Sequence, residues 1–362
     1  MMKQILFLSP IGKDVPTGGM KVIYDYSNRL IEDGVRITIA YAAYFDSTEN
    51  TIRRRIKAIA KYIYAKVVFG TKGYSWYKKD QRIKEIFVWE PSYKSLPKAD
   101  VYIATAVNTA SYISALPAEK AKKIYFIQDY EAFVVNNDSY IKWTYRLPLN
   151  KIVISQWLAK LIAKERKECI VIPNGFDFKK FKMTIPVEKK DKYLLSMLYH
   201  VDERKDVKFG IKAVELARKE IPKLKLVMFG AYPAPYGLPK WITYFRMPSN
   251  EKHLEINNQA AIYVGCSKIE GWGLTVGEAM MCGQAVICTD NDGYKEMATN
   301  NVNALISPCG DAEALSKNII RLVVDDDLRY KLAYKGLETI RVFDFEKSYS
   351  MFRDYITSEN EG

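Results

Sequence analysis

The 362-residue sequence has few of the residues that build metal clusters and disulfide frameworks. It contains two histidines and five cysteines, and no two cysteines follow the C-x-x-C spacing. A structural zinc site needs four such ligands in close groups, and a disulfide scaffold needs a dense, even set of cysteines. The sequence therefore argues against both classes and indicates a reducing compartment.

Long uncharged apolar runs are also missing. No stretch of 18 consecutive apolar residues occurs, and the first residues, MMKQILFLSPIGKD, have neither a long apolar core nor a small-residue cleavage site. We predict no spanning helix and no export signal. The expected location is the cytoplasm, with peripheral contact to the inner face of a membrane.

The composition that remains is that of a folded protein with two or three domains. The chain is 48% hydrophobic and 27% charged, unlike the polar, aromatic-poor make-up of disordered chains. Its net charge of +13 predicts an anionic partner, either nucleic acid, anionic lipid or a phosphorylated small molecule.

Short β-rich runs alternate with helical patterns along the chain, which predicts α/β lobes with mostly parallel sheets. A lysine-rich stretch at 179–192 interrupts the alternation, and we place the linker between two lobes there. The last stretch, 327–356, has no strand pattern and is expected to be helical.

Residues 51–84 are unusually basic, with eleven lysines and arginines against one acid, Asp80. Apolar residues recur within this segment at helical spacing, so it predicts a basic amphipathic helix. Such a helix can dock on an anionic bilayer, or it can face the core and leave a solvated basic face; nucleic-acid binding is a third reading. The predicted membrane contacts are Arg53, Arg54, Arg55, Lys57 and Lys61.

The stretch SKIEGWGLTVGE at 267–278 carries two carboxylates, Glu270 and Glu278, eight positions apart. Glycines between them allow a strand to end and a helix to begin near Leu274, where unpaired N–H groups attract phosphate. Carboxylates accept hydrogen bonds from sugar hydroxyls, so the spacing suits a nucleotide sugar. The alternative is a glycine-rich loop with two surface acids.

This stretch resembles the E-x7-E motif of the retaining glycosyltransferases of family 4, which have the GT-B fold. Other pieces resemble that family in the same order along nearly the whole chain. They are Gly18-Gly19 before a helix, VIPNGFD at 171–177, the pair Arg204-Lys205, and Gly293 with Glu296.

The resemblance implies two Rossmann-like, doubly wound domains facing a cleft, with a C-terminal helix that crosses back to the first. We expect an acceptor-binding domain at 1–182, a nucleotide-sugar-binding domain at 190–340 and the returning helix at 341–362.

The family also implies roles for single residues. Glu278 would bind the ribose, Glu270 would act beside the transferred sugar, and Arg204 with Lys205 would hold the diphosphate. The full set of expected donor contacts is Gly18, Gly19, Arg204, Lys205, Gly271, Gly273, Leu274, Thr275 and Glu278. No metal or cofactor is expected, and Asp290-Asn291-Asp292 is interpreted as a turn.

The sequence departs from the family pattern at two points. His200 stands where many members have an arginine five positions before the clamp lysine, so Arg204 or His200 could take that place. The first lobe has no histidine, and the candidates for its catalytic group are Asp129 and Glu131 in YFIQDYEAF. The alternative for these two acids is a helix cap and a surface carboxylate.

Two short stretches also resemble one branch of the family, and several single residues beside the motif allow an interpretation of their own. Q-D-Y-E at 128–131 and MLYH at 197–200 resemble a rhamnosyltransferase branch that uses dTDP-rhamnose. Trp272 could wall the sugar pocket or support the loop from behind. Cys266, Cys282 and Cys288 lie in apolar runs and are read as buried hydrophobes.

The expected function is therefore a retaining, hexosyltransferase-type enzyme of the EC 2.4 class that moves a sugar from a nucleotide diphosphate to a glycan, expected to be lipid-linked, in bacterial surface polysaccharide synthesis. The expected partners are the donor, the acceptor and an anionic membrane, and not nucleic acid. The alternatives are a nucleotide-sugar epimerase or hydrolase and a non-catalytic binding scaffold. A glycosidase is disfavoured because it would leave the basic clamp without a purpose.

Overall fold

The computed structural model describes residues 3–45, 52–70, 73–117 and 120–358. The chain divides into two compact units. Unit 1 comprises Met1–Pro173 and Tyr349–Gly362, and unit 2 comprises Asn174–Ser348. The first division falls inside VIPNGFD, earlier than the boundary expected at 182–190, and the return falls at 349 rather than 341.

Unit 1 is built on a seven-stranded sheet whose described strands are all parallel, in the order β3-β2-β1-β4-β5-β6-β7. The strands are β1 Gln4–Pro10, β2 Arg36–Ala42, β3 Lys84–Val88, β4 Val101–Ala104, β5 Lys122–Ile127, β6 Asn150–Val153 and β7 Ile170–Val171. The helices are α1 Gly18–Glu32, α2 Ile52–Val68, α3 Val107–Ala115, α4 Ala132–Val135, α5 Asp138–Arg146 and α6 Gln156–Lys164. β1 and β4 are neighbours at the point where the strand order reverses, which is where such sheets bind ligands.

Unit 2 repeats this plan with six described strands in the order β10-β9-β8-β11-β12-β13, again all parallel. The strands are β8 Asp191–Leu198, β9 Lys225–Gly230, β10 Ile242–Arg246, β11 Ala260–Gly265, β12 Ala285–Thr289 and β13 Ala304–Ser307. The helices are α7 Val207–Glu220, α8 Asn250–Gln259, α9 Leu274–Met281, α10 Asp292–Lys295, α11 Ala312–Val324 and α12 Asp326–Ile340. β8 and β11 flank the reversal of strand order here.

The last helix, α13 Phe345–Thr357, carries the chain from unit 2 into unit 1. Its Phe352 is fully buried and stacks on Tyr26 of α1 with 4.5 Å between ring centres. Tyr349 donates a hydrogen bond to Asp33 at 2.6 Å. These contacts make the end of α13 part of the core of unit 1.

The doubly wound architecture predicted from the sequence is confirmed. The apolar run at 101–104 and the helical pattern at 312–324 in the sequence coincide with β4 and α11. β10 lies at the sheet edge with only Ile242 buried, so it lacks the apolar run of a central strand.

Candidate active site

Three loops of unit 2 meet at the carboxyl edge of its sheet. They follow β8, β11 and β12, because these parallel strands are neighbours in the order β8-β11-β12. The backbone N–H of Lys268 donates to the carbonyl of Arg204 at 2.7 Å, and Asn291 Nδ2 donates to the carbonyl of Ser267 at 2.9 Å. The β11 loop, residues 266–273, is thus fastened to both of its neighbours.

Glu270 is held in one orientation by three side chains. Lys205 Nζ donates to Oε2 at 2.7 Å, and Ser267 Oγ donates to Oε1 at 2.7 Å. The hydroxyl of Tyr294 lies 3.0 Å from Ser267 Oγ and 3.5 Å from Oε1. Burial, followed by the charge of Glu270, holds the pKa of Tyr294 well above its usual range, so the hydroxyl stays protonated.

Two glycines allow this packing for steric reasons. Gly273 has φ +101°, a left-handed conformation that side chains other than glycine rarely adopt. At Gly293 a Cβ would lie 2.3 Å from the carbonyl oxygen of Glu270. The β11 and β12 loops can approach this closely only because that Cβ is missing.

The helix α9 begins directly after Gly273 and carries Glu278. Its N-cap residue is Gly273, which has no side chain to bond the first N–H groups, as a phosphate site at a helix start requires. Thr275 Oγ1 accepts a hydrogen bond from buried Tyr263 at 2.7 Å, which fixes the start of the helix to β11. Glu278 itself is 8% exposed.

In the loop after β8, Arg204 and Lys205 form ion pairs with different acids. Arg204 is paired with Asp202 at 2.7 Å, and Lys205 is the cation bonded to Glu270. His200 accepts the N–H of Asp202 at 3.0 Å and stacks edge-to-face on Tyr232. Burial, and then the charge of Lys205, lowers the pKa of His200, so it is neutral near pH 7 and adds no cation.

The Asp290-Asn291-Asp292 stretch forms a turn at the start of α10. Lys295 pairs with Asp290 at 2.9 Å and with Asp292 at 3.2 Å, while Asn291 caps the helix by accepting the N–H of Tyr294. In the part of the chain that the structure describes, no group of three or more histidine, cysteine or acidic side chains could hold a metal ion.

Trp272 and the cysteines beside the motif lie behind it. Trp272 is 3% exposed and packs edge-to-face on Phe343, which supports the loop rather than lining a pocket. Burial raises the pKa of Cys266, Cys282 and Cys288 to about 12, in keeping with inert thiols.

The candidates in unit 1 also lie at a carboxyl edge. Gly18 and Gly19 begin α1 after β1, and Gln128 Nε2, just after β5, donates to the carbonyl of Gly19 at 3.3 Å. Asp129 accepts the N–H of Tyr130 at 2.8 Å and is half-buried. Glu131 accepts the N–H of Val107 at the start of α3, which is the helix-capping role left open above.

The helix predicted for the basic segment forms as α2, but its apolar stripe faces outward. Ile52, Ile56, Ile59, Ile63 and Val67 are between 46% and 81% exposed, and the buried residues of the helix are Ala58 and Ala65. Arg53, Arg54, Arg55, Lys57 and Lys61 are exposed as well. Thr51, Thr71 and Lys72 of the basic segment lie outside the described residues. Among the described helices, none combines the length and apolarity needed to cross a bilayer.

Sequence reasoning missed the residues that orient the site. Ser267 and Tyr294 hold Glu270, Asp202 pairs with Arg204, and Gln128 contacts the glycine loop of unit 1. The only signal for Ser267 was its place three residues before Glu270, and none pointed to Tyr294, which comes from the next loop.

Two doubly wound units, each built on a parallel sheet, are the architecture of the GT-B fold. Residues 178–339, which cover most of unit 2, match the family described as "Glycosyl transferases group 1". The matched residues make up less than half of the chain, and over them it is similar to group 1 glycosyltransferases.

Two similar proteins are bacterial and are named as glycosyltransferases. The chain is 26% identical over 211 residues to the putative glycosyltransferase EpsD of Bacillus subtilis, which covers 51% of this chain and 55% of the relative. It is 24% identical over 280 residues to the N,N'-diacetylbacillosaminyl-diphospho-undecaprenol alpha-1,3-N-acetylgalactosaminyltransferase of Campylobacter jejuni, covering 67% of this chain and 73% of the relative. The chain thus spans about half the length of the first of these and about three quarters of the second.

Solved structures share the fold over nearly the whole chain. HepE of Anabaena in complex with UDP and glucose superposes with a TM-score of 0.73 at 15% identity, covering 98% of this chain and 99% of that one. TarM superposes with a TM-score of 0.72 at 14% identity, covering 99% of both chains. At this identity the likeness shows the GT-B fold and nothing finer.

Proposed function

We propose that this protein is a retaining glycosyltransferase that moves a sugar from a nucleoside diphosphate to a hydroxyl of a glycan acceptor. The observation that carries the proposal is the pair Lys205–Glu270 beside the uncapped start of α9. One relative is by name an N-acetylgalactosaminyltransferase for a diphospho-undecaprenol-linked sugar, and HepE was solved in complex with UDP and glucose, which supports a nucleotide-sugar donor.

Unit 2 is proposed to bind the donor. Glu278 accepts hydrogen bonds from the ribose, and the first N–H groups of α9, after Gly273, receive a phosphate. The ammonium of Lys205 has three N–H donors, and one of them is used on Glu270. It can therefore hold the diphosphate while it keeps the carboxylate of Glu270 in place.

In the reaction step, the bond between the anomeric carbon and the diphosphate oxygen breaks, and its electron pair leaves with the diphosphate. The acceptor oxygen bonds to the anomeric carbon on the same face, and its proton passes to a diphosphate oxygen. Lys205 and the first N–H groups of α9 are proposed to bind the leaving diphosphate, because donors lower a barrier most where charge develops. Asp129 or Glu131, which follow β5 in unit 1, is proposed to orient the acceptor hydroxyl.

The choice of donor is tested by product analysis. The purified protein is incubated with UDP-, GDP- and dTDP-sugars, including dTDP-rhamnose because of the Q-D-Y-E stretch, and with soluble glycan acceptors. NMR of the product should show the anomeric configuration of the donor preserved, and Glu278→Ala should form no product. Release of free sugar would favour a hydrolase, a rearranged nucleotide sugar would favour an epimerase, and an inverted product would contradict retention.

We further propose that α2 docks the enzyme on an anionic membrane, where a lipid-linked acceptor is presented. The helix has six basic residues, no acidic residue and an exposed apolar stripe. A bilayer surface matches both features, because it offers negative headgroups and an apolar interior, and each basic residue near it contributes about 1 kcal/mol.

Vesicle flotation tests the docking. The wild type should float with phosphatidylglycerol-containing vesicles and not with phosphatidylcholine alone. Changing Arg53, Arg54 and Arg55 to glutamine should abolish flotation. The matched control changes Lys160, Lys164 and Lys167, three exposed lysines of unit 1, by the same charge. Equal loss in both triple variants would show a net-charge effect and contradict docking by α2.

A further inference from the structure

The glycine loop of unit 1, residues 11–19, is held by a segment that comes about 60 residues later in the chain. We call residues 73–77 the brace segment. The hydroxyl of Tyr74 accepts the N–H of Gly12 at 2.7 Å and donates to its carbonyl at 3.2 Å. The carboxylate of Asp14 accepts the N–H and hydroxyl of Ser75 at 2.9 and 2.6 Å. The brace segment thus fixes the loop at two points before α1 begins.

Tyr74 also contacts the end of α2. Its ring centre lies 4.9 Å from that of Phe69, the residue directly after α2, and 4.9 Å from that of Tyr41 on β2. Tyr74 is 3% exposed and Phe69 is 7% exposed. One buried side chain therefore touches the basic helix through its ring and the glycine loop through its hydroxyl.

The helix on the other side of this contact is weakly anchored. The buried residues of α2 are Ala58 and Ala65, whose small side chains bury little apolar area, whereas the isoleucines of the stripe are exposed. A helix held in this way is restrained further when an external surface covers its stripe. The restraint reaches Phe69 and then the ring of Tyr74.

We propose that Tyr74 is a positioning residue that couples α2 to the glycine loop, so that docking of α2 on an anionic bilayer restrains residues 11–17. This inference rests on the proposed membrane docking. Docking would then do more than hold the enzyme at the membrane. The bilayer that presents the acceptor would also restrain the glycine loop at the carboxyl edge of unit 1.

Residues 77 and 79, at the end of the brace segment and just beyond it, have their own anchors. The Tyr74 hydroxyl can therefore be tested by itself. Lys79 bonds to the buried carboxylate of Glu85, which also accepts the hydroxyl of Tyr41 at 2.6 Å. Tyr77 bonds to Asp25 on α1. Tyr74→Phe therefore removes the two bonds to Gly12 and leaves the ring packing in place.

Tyr102 provides a matched control elsewhere in unit 1. It is also 3% exposed, and its hydroxyl likewise accepts a backbone N–H, from Ala99 at 3.0 Å, and donates to a carbonyl, that of Pro97 at 3.1 Å. Tyr102 lies on β4, and Tyr102→Phe makes the same chemical change there. The two bonds that it removes go to Pro97 and Ala99, and not to the glycine loop.

Hydrogen exchange of the full-length protein with and without phosphatidylglycerol vesicles tests the coupling. In the wild type and in Tyr102→Phe, vesicles should slow exchange in α2 and should slow exchange of residues 11–17 by about fivefold, the contribution of one ordinary hydrogen bond. In Tyr74→Phe, α2 should still become protected, while vesicles should no longer change exchange of the Gly12 N–H, whose bond to Tyr74 is lost.

Each other outcome identifies what is wrong. If α2 becomes protected in the wild type but the loop does not, docking stands and the coupling is overturned. If the Gly12 N–H remains vesicle-sensitive in Tyr74→Phe, Tyr74 is not the link. If vesicles protect neither region, docking and coupling both fall, whereas donor binding by unit 2 is untouched.

Discussion

The chain concentrates positive charge in two places and arranges it in opposite ways. At the carboxyl edge of unit 2, Arg204, Lys205 and Lys268 each pair with a carboxylate, those of Asp202, Glu270 and Asp206. In α2, six basic residues occur with no acid in the helix, beside an exposed apolar stripe. Internal pairing holds cations in a fixed geometry for a small ligand, while a helix whose charges are all positive suits a partner that is itself an extended anionic surface.

The apolar stripes of two helices, α11 and α2, also differ in what covers them. α11 and α2 both carry apolar residues at helical spacing, but Leu315, Ile319 and Leu322 of α11 are fully buried. Those of α2 are exposed, so the same pattern serves the core in one helix and the outer surface in the other.

The largest expected effect tests the contrast between the buried stripe of α11 and the exposed stripe of α2. Ile319→Ala should lower the free energy of unfolding by about 3 kcal/mol, because it leaves a cavity in a packed core. Ile63→Ala should change it by less than about 0.5 kcal/mol, since the side chain is 55% exposed. Urea titration of both variants measures this, and a similar loss for Ile63→Ala would place α2 in a core.

A smaller effect is expected at the paired cations. Lys205→Ala should weaken nucleoside diphosphate binding about 100-fold, because it removes one partner of a partly buried, hydrogen-bonded charge pair. Lys268→Ala is the control, because Lys268 is about half exposed in its pair with Asp206. Calorimetry that gives equal losses for the two variants would contradict the special place of Lys205.

The orientation of Glu270 sharpens the comparison further. Tyr294→Phe should lower kcat about tenfold with little change in donor affinity, because it loses a hydrogen bond that orients Glu270. Tyr334→Phe breaks a similar bond, to Glu188 at 2.6 Å, outside the site. A change of kcat in Tyr334→Phe of the same size would show that the loss is not specific.

The smallest effect concerns a lysine that is neither paired with an acid nor exposed. Lys190 donates to the carbonyl of Asn258 at 2.5 Å and is 6% exposed, and burial lowers its pKa to about 8. A lowered lysine pKa costs stability below that pKa, and the cost is relieved as the pH rises through it. Relative to Lys190→Met, the wild type should therefore gain about 1 kcal/mol between about pH 7.5 and 9.

The comparison with the variant is needed because buried thiols act in the opposite direction. The pKa values of Cys266, Cys282 and Cys288 are raised to about 12, so ionisation of the unfolded thiols favours unfolding in the same window. Both proteins share this effect, which cancels in the difference. A difference that does not change with pH would mean that Lys190 stays charged or is solvated.

The sequence was sufficient for features that depend on local pattern. The alternation of apolar runs predicted both parallel sheets, and the glycines around Glu270 predicted the start of α9 to within a residue. The exposure of the α2 stripe could not be predicted, because a 3.6-residue period is the same whether the core or another surface covers it.

Contacts between segments that are far apart in the chain could not be predicted from the sequence either. Tyr294 reaches Glu270 from the loop after another strand, and Glu131 caps α3 from the loop after β5. Both depend on the order of strands in a sheet, which brings loops together that are 24 residues apart in the chain.

The most direct test of the central claim is a thermal-shift measurement of the purified protein with UDP, GDP, ADP, CMP and dTDP, repeated on Glu278→Ala and Lys205→Ala. A ligand at 100 times its dissociation constant adds about 2.7 kcal/mol of stability. We predict that one nucleoside diphosphate raises the Tm of the wild type and that both substitutions abolish the shift. If no nucleotide shifts the wild type, or if the variants shift equally, unit 2 does not bind the donor as proposed.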